Sequence, residues 1–299
     1  MRNFILSCES TIDLPYSYVV EHDLPVLFYS YIVDEKVYPD DMGKDPHSLE
    51  HFYGLLDAGK LPSTSQLNIG EYTDFFEEQL KKGPDVLHIA FGSGMTQSVN
   101  NAFLAAEILR EQYPDRRLEV FDSTCSSSGY GLLVDGAREL ADQGKSMDDV
   151  LTYLAANCRH VHHQFFSTDL KYFKRSGRVS GAAATIGTIL NICPIMHLDY
   201  DGRIIAYGKV RGKKNALRET VETMAKHAAD GTDYSGKCWI CHSNCRADAE
   251  ELKKEIQASF PHINGEILIN NIGTIIAAHS GPGTVAAFFF GDEREKTVQ

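Results

Sequence analysis

Residues 85–91 (Asp-Val-Leu-His-Ile-Ala-Phe) form a mostly apolar run that stops at Gly92-Ser93-Gly94, and helical spacing takes over through Ser98, Ala102, Leu104, Ile108 and Leu109. A short apolar run closed by glycine predicts a buried strand, so this stretch is a strand–turn–helix unit. The pattern repeats. Residues 4–8 run into Glu9-Ser10-Thr11 and a helix over 16–21, and residues 118–121 run into Asp122-Ser123-Thr124 and a helix carrying Leu132, Leu133, Ala137 and Leu140. Near-continuously apolar strands alternating with helices imply a mainly parallel sheet wrapped by helices. Ligands of such sheets sit beyond the carboxyl ends of the strands. The hydroxyl-rich turns at Ser10, Ser93 and Ser123 are therefore expected at one rim, with the loop carrying Thr64 close by. Two glycines around Ser93 let the backbone approach a ligand, and the helix behind them offers its first N–H groups to an anion. The alternative is a turn that needs glycine only for its bend.

Between these units, residues 24–33 predict a strand with a hairpin partner in 36–38. Helices over 46–58 and 69–82 flank the loop Lys60-Leu61-Pro62-Ser63-Thr64-Ser65-Gln66. After a helix over 147–157 the character changes. A strand over 165–167, a helical turn over 170–173 and a basic glycine loop over 174–180 precede a helix over 186–191. Strands over 195–198 and 204–210 flank Asp201-Gly202, a two-residue hairpin turn. Helices over 217–229 and 247–258 alternate with strands over 238–241 and 263–269. A helix from 272 runs into His279-Ser280-Gly281-Pro282-Gly283, and a last apolar strand covers 285–290. The charged tail from Asp292 is expected to fray. The reading is α/β with two domains: residues 1–160, a mainly parallel sheet flanked by helices, and residues 161–299, a mixed α/β sheet.

Net charge is −12 over 299 residues, which argues against a nucleic-acid binder, since that needs a basic face. No apolar run approaches the ~20 residues of a membrane helix, and the first residues lack the apolar core of a signal peptide. A cytoplasmic protein without membrane insertion is expected. The seven cysteines are expected as reduced, mostly buried thiols.

Cys238-Trp239-Ile240-Cys241-His242 fits a haem-attachment or zinc pattern, but residues three apart on a strand face opposite sides of the sheet. Structural thiols are the better reading. His160-Val161-His162-His163 invites a metal, because positions 160 and 162 share a strand face, yet no carboxylate or cysteine is adjacent in sequence. A solvated, histidine-rich domain edge is preferred. His279 stands at a Pro/Gly-fixed bend, where it either donates a hydrogen bond to an oxyanion or caps the preceding helix. Lys171, Lys174, Arg175 and Arg178 are the dense basic cluster of an acidic chain, read as a docking surface for an acidic partner or a phosphate. Ser93, His279 and Asp122 could form a hydrolase triad, though nothing in their spacing aligns them.

Taken in order, these turns resemble the DegV family of bacterial fatty-acid-binding proteins, over residues 3–290. Glu9-Ser10-Thr11-Ile12-Asp13-Leu14-Pro15 is similar to the family's opening D-S-T-x-D-L-P. Thr64-Ser65-Gln66 is similar to T-S-Q-P, and Ser93-Gly94-Met95-Thr96-Gln97-Ser98 to S-G-T-Y-Q-S. The run from Leu170 to Val179 is similar to L-x-Y-L-K-x-G-G-R-I, and the run from Gly273 to Gly283 to G-T-x-x-x-x-H-x-G-P-G. The resemblance implies a long-chain fatty acid in a tunnel between two α/β domains, with no cofactor beyond that ligand. It implies a carboxylate held by Thr64, Ser93 and His279, with backbone donors near Ser65 and Gly94. It also implies a fatty acid kinase catalytic subunit as partner, docking at Lys174, Arg175 and Arg178 and converting the carboxylate to an acyl phosphate. The chain would present substrate and not catalyse. The alternatives are a serine acyl hydrolase or small-molecule transferase using Ser93 and His279, and a regulatory protein that reads lipid levels.

Hydroxyls and a histidine suit a carboxylate in a dry pocket, and an acyl chain gains ~0.8 kcal/mol per buried CH₂. Candidate walls are residues 186–192, 267–276 and 288–290. Departures from the family pattern are Glu9 for Asp, Leu67 for Pro, residues 90–92 before the serine, and Met95-Thr96 for Thr-Tyr. They point to fewer head-group donors, more apolar bulk and a changed acyl preference.

Overall fold

The computed structural model describes residues 2–181 and 191–297. In chain order the first half contains β1 (Phe4–Glu9), α1 (Tyr16–Glu21), β2 (Val26–Leu27), β3 (Ser30–Val33), β4 (Lys36–Pro39), α2 (Ser48–Asp57) and β5 (Ser63–Thr64). It continues with α3 (Ile69–Leu80), β6 (Asp85–Ala90), α4 (Ser98–Gln112), β7 (Leu118–Asp122), α5 (Ser127–Asp142) and α6 (Met147–Asn157). Then come β8 (Val161–Ser167), α7 (Lys171–Ser176), β9 (Val179–Gly181), β10 (Ile192–Leu198), β11 (Ile204–Arg211) and α8 (Lys213–His227). The chain closes with β12 (Trp239–His242), α9 (Arg246–Ser259), β13 (Leu268–Asn271), α10 (Thr274–Ser280) and β14 (Thr284–Phe290).

Among the described residues, strands of the first half form a parallel sheet in the order β2-β1-β6-β7 and an antiparallel one in the order β4-β3-β5. The rest form a mixed sheet in the order β13-β12-β14-β8-β10-β11-β9, with parallel pairs at its two ends and antiparallel pairs between. The expected α/β class, parallel first and mixed second, is what the chain adopts.

The central strands of the mixed sheet, β12, β14, β8 and β10, are buried on both faces, whereas β11 and β13 are partly exposed. The sheet's side chains alternate by twos. Phe165, Cys241, Ala286 and Phe288 join the large core shared with the first half. Phe166, Ile240, Val285, Ala287 and Phe289 join a second core beneath α8 and α9. Cys238 and Cys241 accordingly fall in different cores. Helix starts follow their caps: Asn68 with Glu71, and Ser146 with Asp149, each form a reciprocal capping box.

Four expectations change. The 24–33 strand splits, because Cys8 pairs with Val26 in the parallel sheet whereas Tyr31 pairs with Tyr38 and Thr64. The 263–269 strand moves to β13, because Trp239 pairs with Leu268 and Gly265 makes a left-handed turn before it. Lys174 and Arg175 lie in the last turn of α7, capped by left-handed Gly177, so the basic stretch is only partly a loop. The tail is not frayed: the Gly291, Asp292 and Arg294 amides donate to the His160, His227 and Arg159 carbonyls, and Arg294 is buried. Of the helix expected over 186–191, residues 186–190 lie outside the described residues, as do the same positions of the candidate wall.

Candidate functional site

Strand β5 brings Thr64 alongside Tyr31, and α10 ends at the Gly281 bend with His279 in its last turn. Gly281 has φ 67°, and a Cβ there would overlap the Tyr172 ring, so only glycine turns the chain tightly enough to stop α10 at this point. The two elements meet: Thr64 Oγ1 and His279 Nε2 lie 2.8 Å apart in a hydrogen bond, across 215 residues of chain. Burial, reinforced by the nearby Arg178 and Arg175 charges, pushes the His279 imidazole down to about 4. It is therefore neutral at pH 7. It can hydrogen-bond an anion there without being a buried cation when the anion is absent.

Thr64, Ser65 and His279 line a chamber with Tyr29, Phe91, Met95, Phe173, Arg178, Ile204 and Ile276. Behind it lies a second, largely apolar chamber that shares Ser126, Phe173, Ile204, Ile276 and Ser280 and adds Phe165, Leu198, Ile272 and Phe288 along with the polar Ser127, His163 and Thr284. The inner chamber has a cavity volume of about 60 Å³ and the outer, with its open mouth, about 80 Å³, so an acyl chain would have to part their walls. The walls come from both halves of the chain. Ile272, Ile276 and Phe288 fall in the segments expected from sequence. Phe173, Ile204, Met95 and Phe91 do not, and only their burial beside the cleft reveals them.

Ser93 and Gly94 lie elsewhere. They line an adjoining polar depression with Asp122, Thr124, Arg159 and Arg203, which touches the outer chamber at Gln66, Met95, Thr96 and Arg178. A Cβ at Gly94 would overlap the Gly202 carbonyl, so this glycine is needed for contact with the β10–β11 turn. Several amides of the turn are spent internally. Gly92 donates to Cys125 O and Met95 to Gly92 O; Ser93 donates to Asp122 Oδ1 and Ser98 to Thr96 Oγ1. Asp122 Oδ1 also accepts from the Thr124 amide. The structure thus does not align Ser93, His279 and Asp122 as a triad: His279 Nε2 is hydrogen-bonded to Thr64, and Asp122 accepts from backbone amides. Lys174 and Arg178 are exposed on α7 and the turn after it. Arg175 is exposed as well, yet its Nη2 donates to Pro62 O and Ala278 O, which ties the end of α10 to the Thr64 loop.

Two of the departures from the family pattern, Glu9 and Leu67, have local reasons. Glu9 is fully buried under the chamber wall. It accepts hydrogen bonds from the Phe91 amide at 2.9 Å and from the Tyr29 and Tyr72 hydroxyls. Leu67 is buried, and its amide, which proline would lack, donates to Ser98 Oγ at 3.2 Å.

A family model described as "Uncharacterised protein, DegV family" matches residues 6–292. The chain belongs to the DegV family. A DegV domain-containing protein of Clostridium perfringens is 34% identical over 295 residues, covering 99% of this chain and 100% of the relative. One from Streptococcus pyogenes is 30% identical over 289 residues, covering 96% and 98%. Among solved structures, a DegV family protein from Thermus thermophilus described by its fatty acid binding is 28% identical, with a TM-score of 0.85 and coverage of 98% and 100%. DegV from Bacillus subtilis, described as a fatty acid binding protein, is 26% identical, with a TM-score of 0.81 and coverage of 98% and 100%. The fold of this DegV protein matches theirs over 98% of its length.

Proposed function

We propose that this chain binds a long-chain fatty acid in the cleft between its parallel and mixed sheets. Residues 1–160 and 161–299 act as two domains that clasp it. The observation that carries the reading is the Thr64–His279 hydrogen bond in the polar outer chamber that opens onto the largely apolar inner one. The description of the Thermus thermophilus and Bacillus subtilis relatives as fatty-acid binders supports it. The acyl chain runs inward past Ile276 and Phe173, gaining ~0.8 kcal/mol per methylene. The carboxylate stays in the outer chamber, held by Thr64, Ser65 and His279, with Arg178 near enough to contribute charge. Ser93 and Gly94 act from the adjoining depression, on the side from which a second reactant approaches.

The chain presents this carboxylate to a cytoplasmic bacterial kinase subunit, which converts it to an acyl phosphate. Arg178 and Lys174 provide the docking charge, while Arg175 has an internal role. What favours a carrier over a serine acyl hydrolase or transferase is the engagement of Asp122 by the Ser93 and Thr124 amides and of His279 by Thr64. Extraction of the purified protein followed by mass spectrometry is expected to release about one fatty acid per chain, with no turnover of an activated acyl ester. Ester turnover abolished by Ser93→Ala would favour the enzyme instead. Arg178→Glu is expected to retain the fatty acid and to impair kinase coupling; unchanged coupling would defeat the docking assignment.

A further inference from the structure

The histidine-rich segment at the start of β8 acquires partners that the sequence around it does not supply. His227, at the end of α8, and Asp292, just after β14, converge on His162. Asp292 Oδ1 lies 2.9 Å from His162 Nε2, and Asp292 Oδ2 lies 3.1 Å from His227 Nδ1. All three ligand atoms lie within 4.8 Å of one another. A tetrahedral zinc site, with bonds of ~2.0–2.1 Å, spaces its ligand atoms roughly 3.3 Å apart, so the three side chains would have to close together by up to about 1.5 Å to hold an ion.

We infer that His162, His227 and Asp292 form a binding site for a divalent transition-metal ion of the zinc class, with a fourth position open to solvent. The donor set selects the class: two imidazoles and one carboxylate suit zinc or cobalt, whereas magnesium and calcium favour oxygen ligands.

The cluster is held from behind. The His162 ring stacks on Phe289 at 5.1 Å between centroids and 8° between planes, and on His227 at 5.3 Å. The Asp292 amide donates to the His227 carbonyl at 2.9 Å, which aims its carboxylate at both rings. His162 binds a metal only as the neutral imidazole. To bind, its Nε2 must be the unprotonated nitrogen, with the ring proton on Nδ1; the ion then replaces the proton now shared with Asp292.

The ion would fasten the C-terminal segment to β8 and α8. Two residues further on, buried Arg294 donates to Thr124 O at 3.0 Å and to Cys158 O at 3.1 Å, so the fastening extends to the turn that lines the polar depression beside the fatty-acid chamber.

The test is titration of the EDTA-treated full-length protein with Co²⁺, read by its visible d–d absorption, with Zn²⁺ competition and thermal melts. The expected result is a band saturating at one equivalent, displaced by Zn²⁺, and a rise in melting temperature with Zn²⁺ that EDTA reverses. Asp292→Asn, at a largely exposed carboxylate, and His162→Gln are expected to weaken Co²⁺ binding at least tenfold and to remove the melting shift. Absence of a saturable band overturns the assignment. So does a band unchanged in Asp292→Asn, or one carrying the near-ultraviolet charge-transfer absorption of cysteine thiolate.

Discussion

At Thr64 and His279 one hydrogen bond joins a loop of the first half to a helix end of the second, and its consequences can be measured one side chain at a time. Thr64→Val keeps the shape and removes the hydroxyl, leaving His279 Nε2 without its partner. A loss of about 1 kcal/mol in folding stability is expected, along with a roughly tenfold weaker hold on fatty acid, read by denaturant melts and by competition with a fluorescent acyl probe. The pH behaviour follows from the same imidazole. Its folded value, about 4, lies below the ordinary 6.5, so between those values the unfolded chain binds more protons than the folded one. Its contribution is complete above pH 6.5 and is lost as pH falls towards 4. His279→Asn removes this term. The variant is expected to lose less stability than the wild type between pH 7 and 4.5, by up to roughly 3 kcal/mol. His242, which burial also lowers to about 4, acts equally in both proteins and cancels from the difference. Identical pH slopes in urea melts would contradict this assignment.

At the scale of elements, the site depends on turns that place helix ends. α10 stops at Gly281 because its backbone is left-handed and the Tyr172 ring occupies the space a side chain would need. Gly281→Ala is expected to cost about 1–3 kcal/mol and to shift His279 enough to weaken fatty-acid binding more than Thr64→Val does. A variant with unchanged melting and binding would show that the bend is not what positions the helix. Gly94→Ala forces the Ser93 turn away from the Gly202 carbonyl and is expected to reduce stability by a similar amount, because neither backbone can yield without opening the contact between the two halves. The basic stretch illustrates the same dependence. α7 brings Arg175 to the Ala278 carbonyl, whereas Arg178, just past its end, lines the chamber with His279, a division that the run of charges does not reveal.

For the whole molecule, the ligand chamber is part of the interface between the two halves, since the large core runs through both. Binding there should raise global stability, by about 2.7 kcal/mol at a hundredfold excess over the dissociation constant. Ile276→Gln places a polar amide in the wall shared by the two chambers. It is expected to fold, to lose the fatty-acid-dependent rise in melting temperature, and to release its lipid on purification. A ligand-induced shift of undiminished size would place the acyl chain elsewhere. The tail joins this integration through Arg294, whose guanidinium reaches Thr124 in the first half and Cys158 at the end of α6.

Much of this was legible in the chain itself. The apolar runs at 4–8, 85–91 and 118–121 determined a parallel sheet, because strands buried on both faces cannot alternate polar and apolar residues. The ordered turns from Glu9 to Gly283 determined the family. Thr64 and His279 were readable as candidates, because a hydroxyl-rich loop and a Pro/Gly-fixed histidine are locally written. Only the tertiary structure decided that those two meet, that Ser93 and Gly94 line the next depression, that Arg175 reaches the Ala278 carbonyl, and that Asp292 joins His162 and His227. These are contacts across long loops of chain. Local spacing sets φ, ψ and the buried face, whereas which distant faces come together depends on how whole sheets pack and in what register.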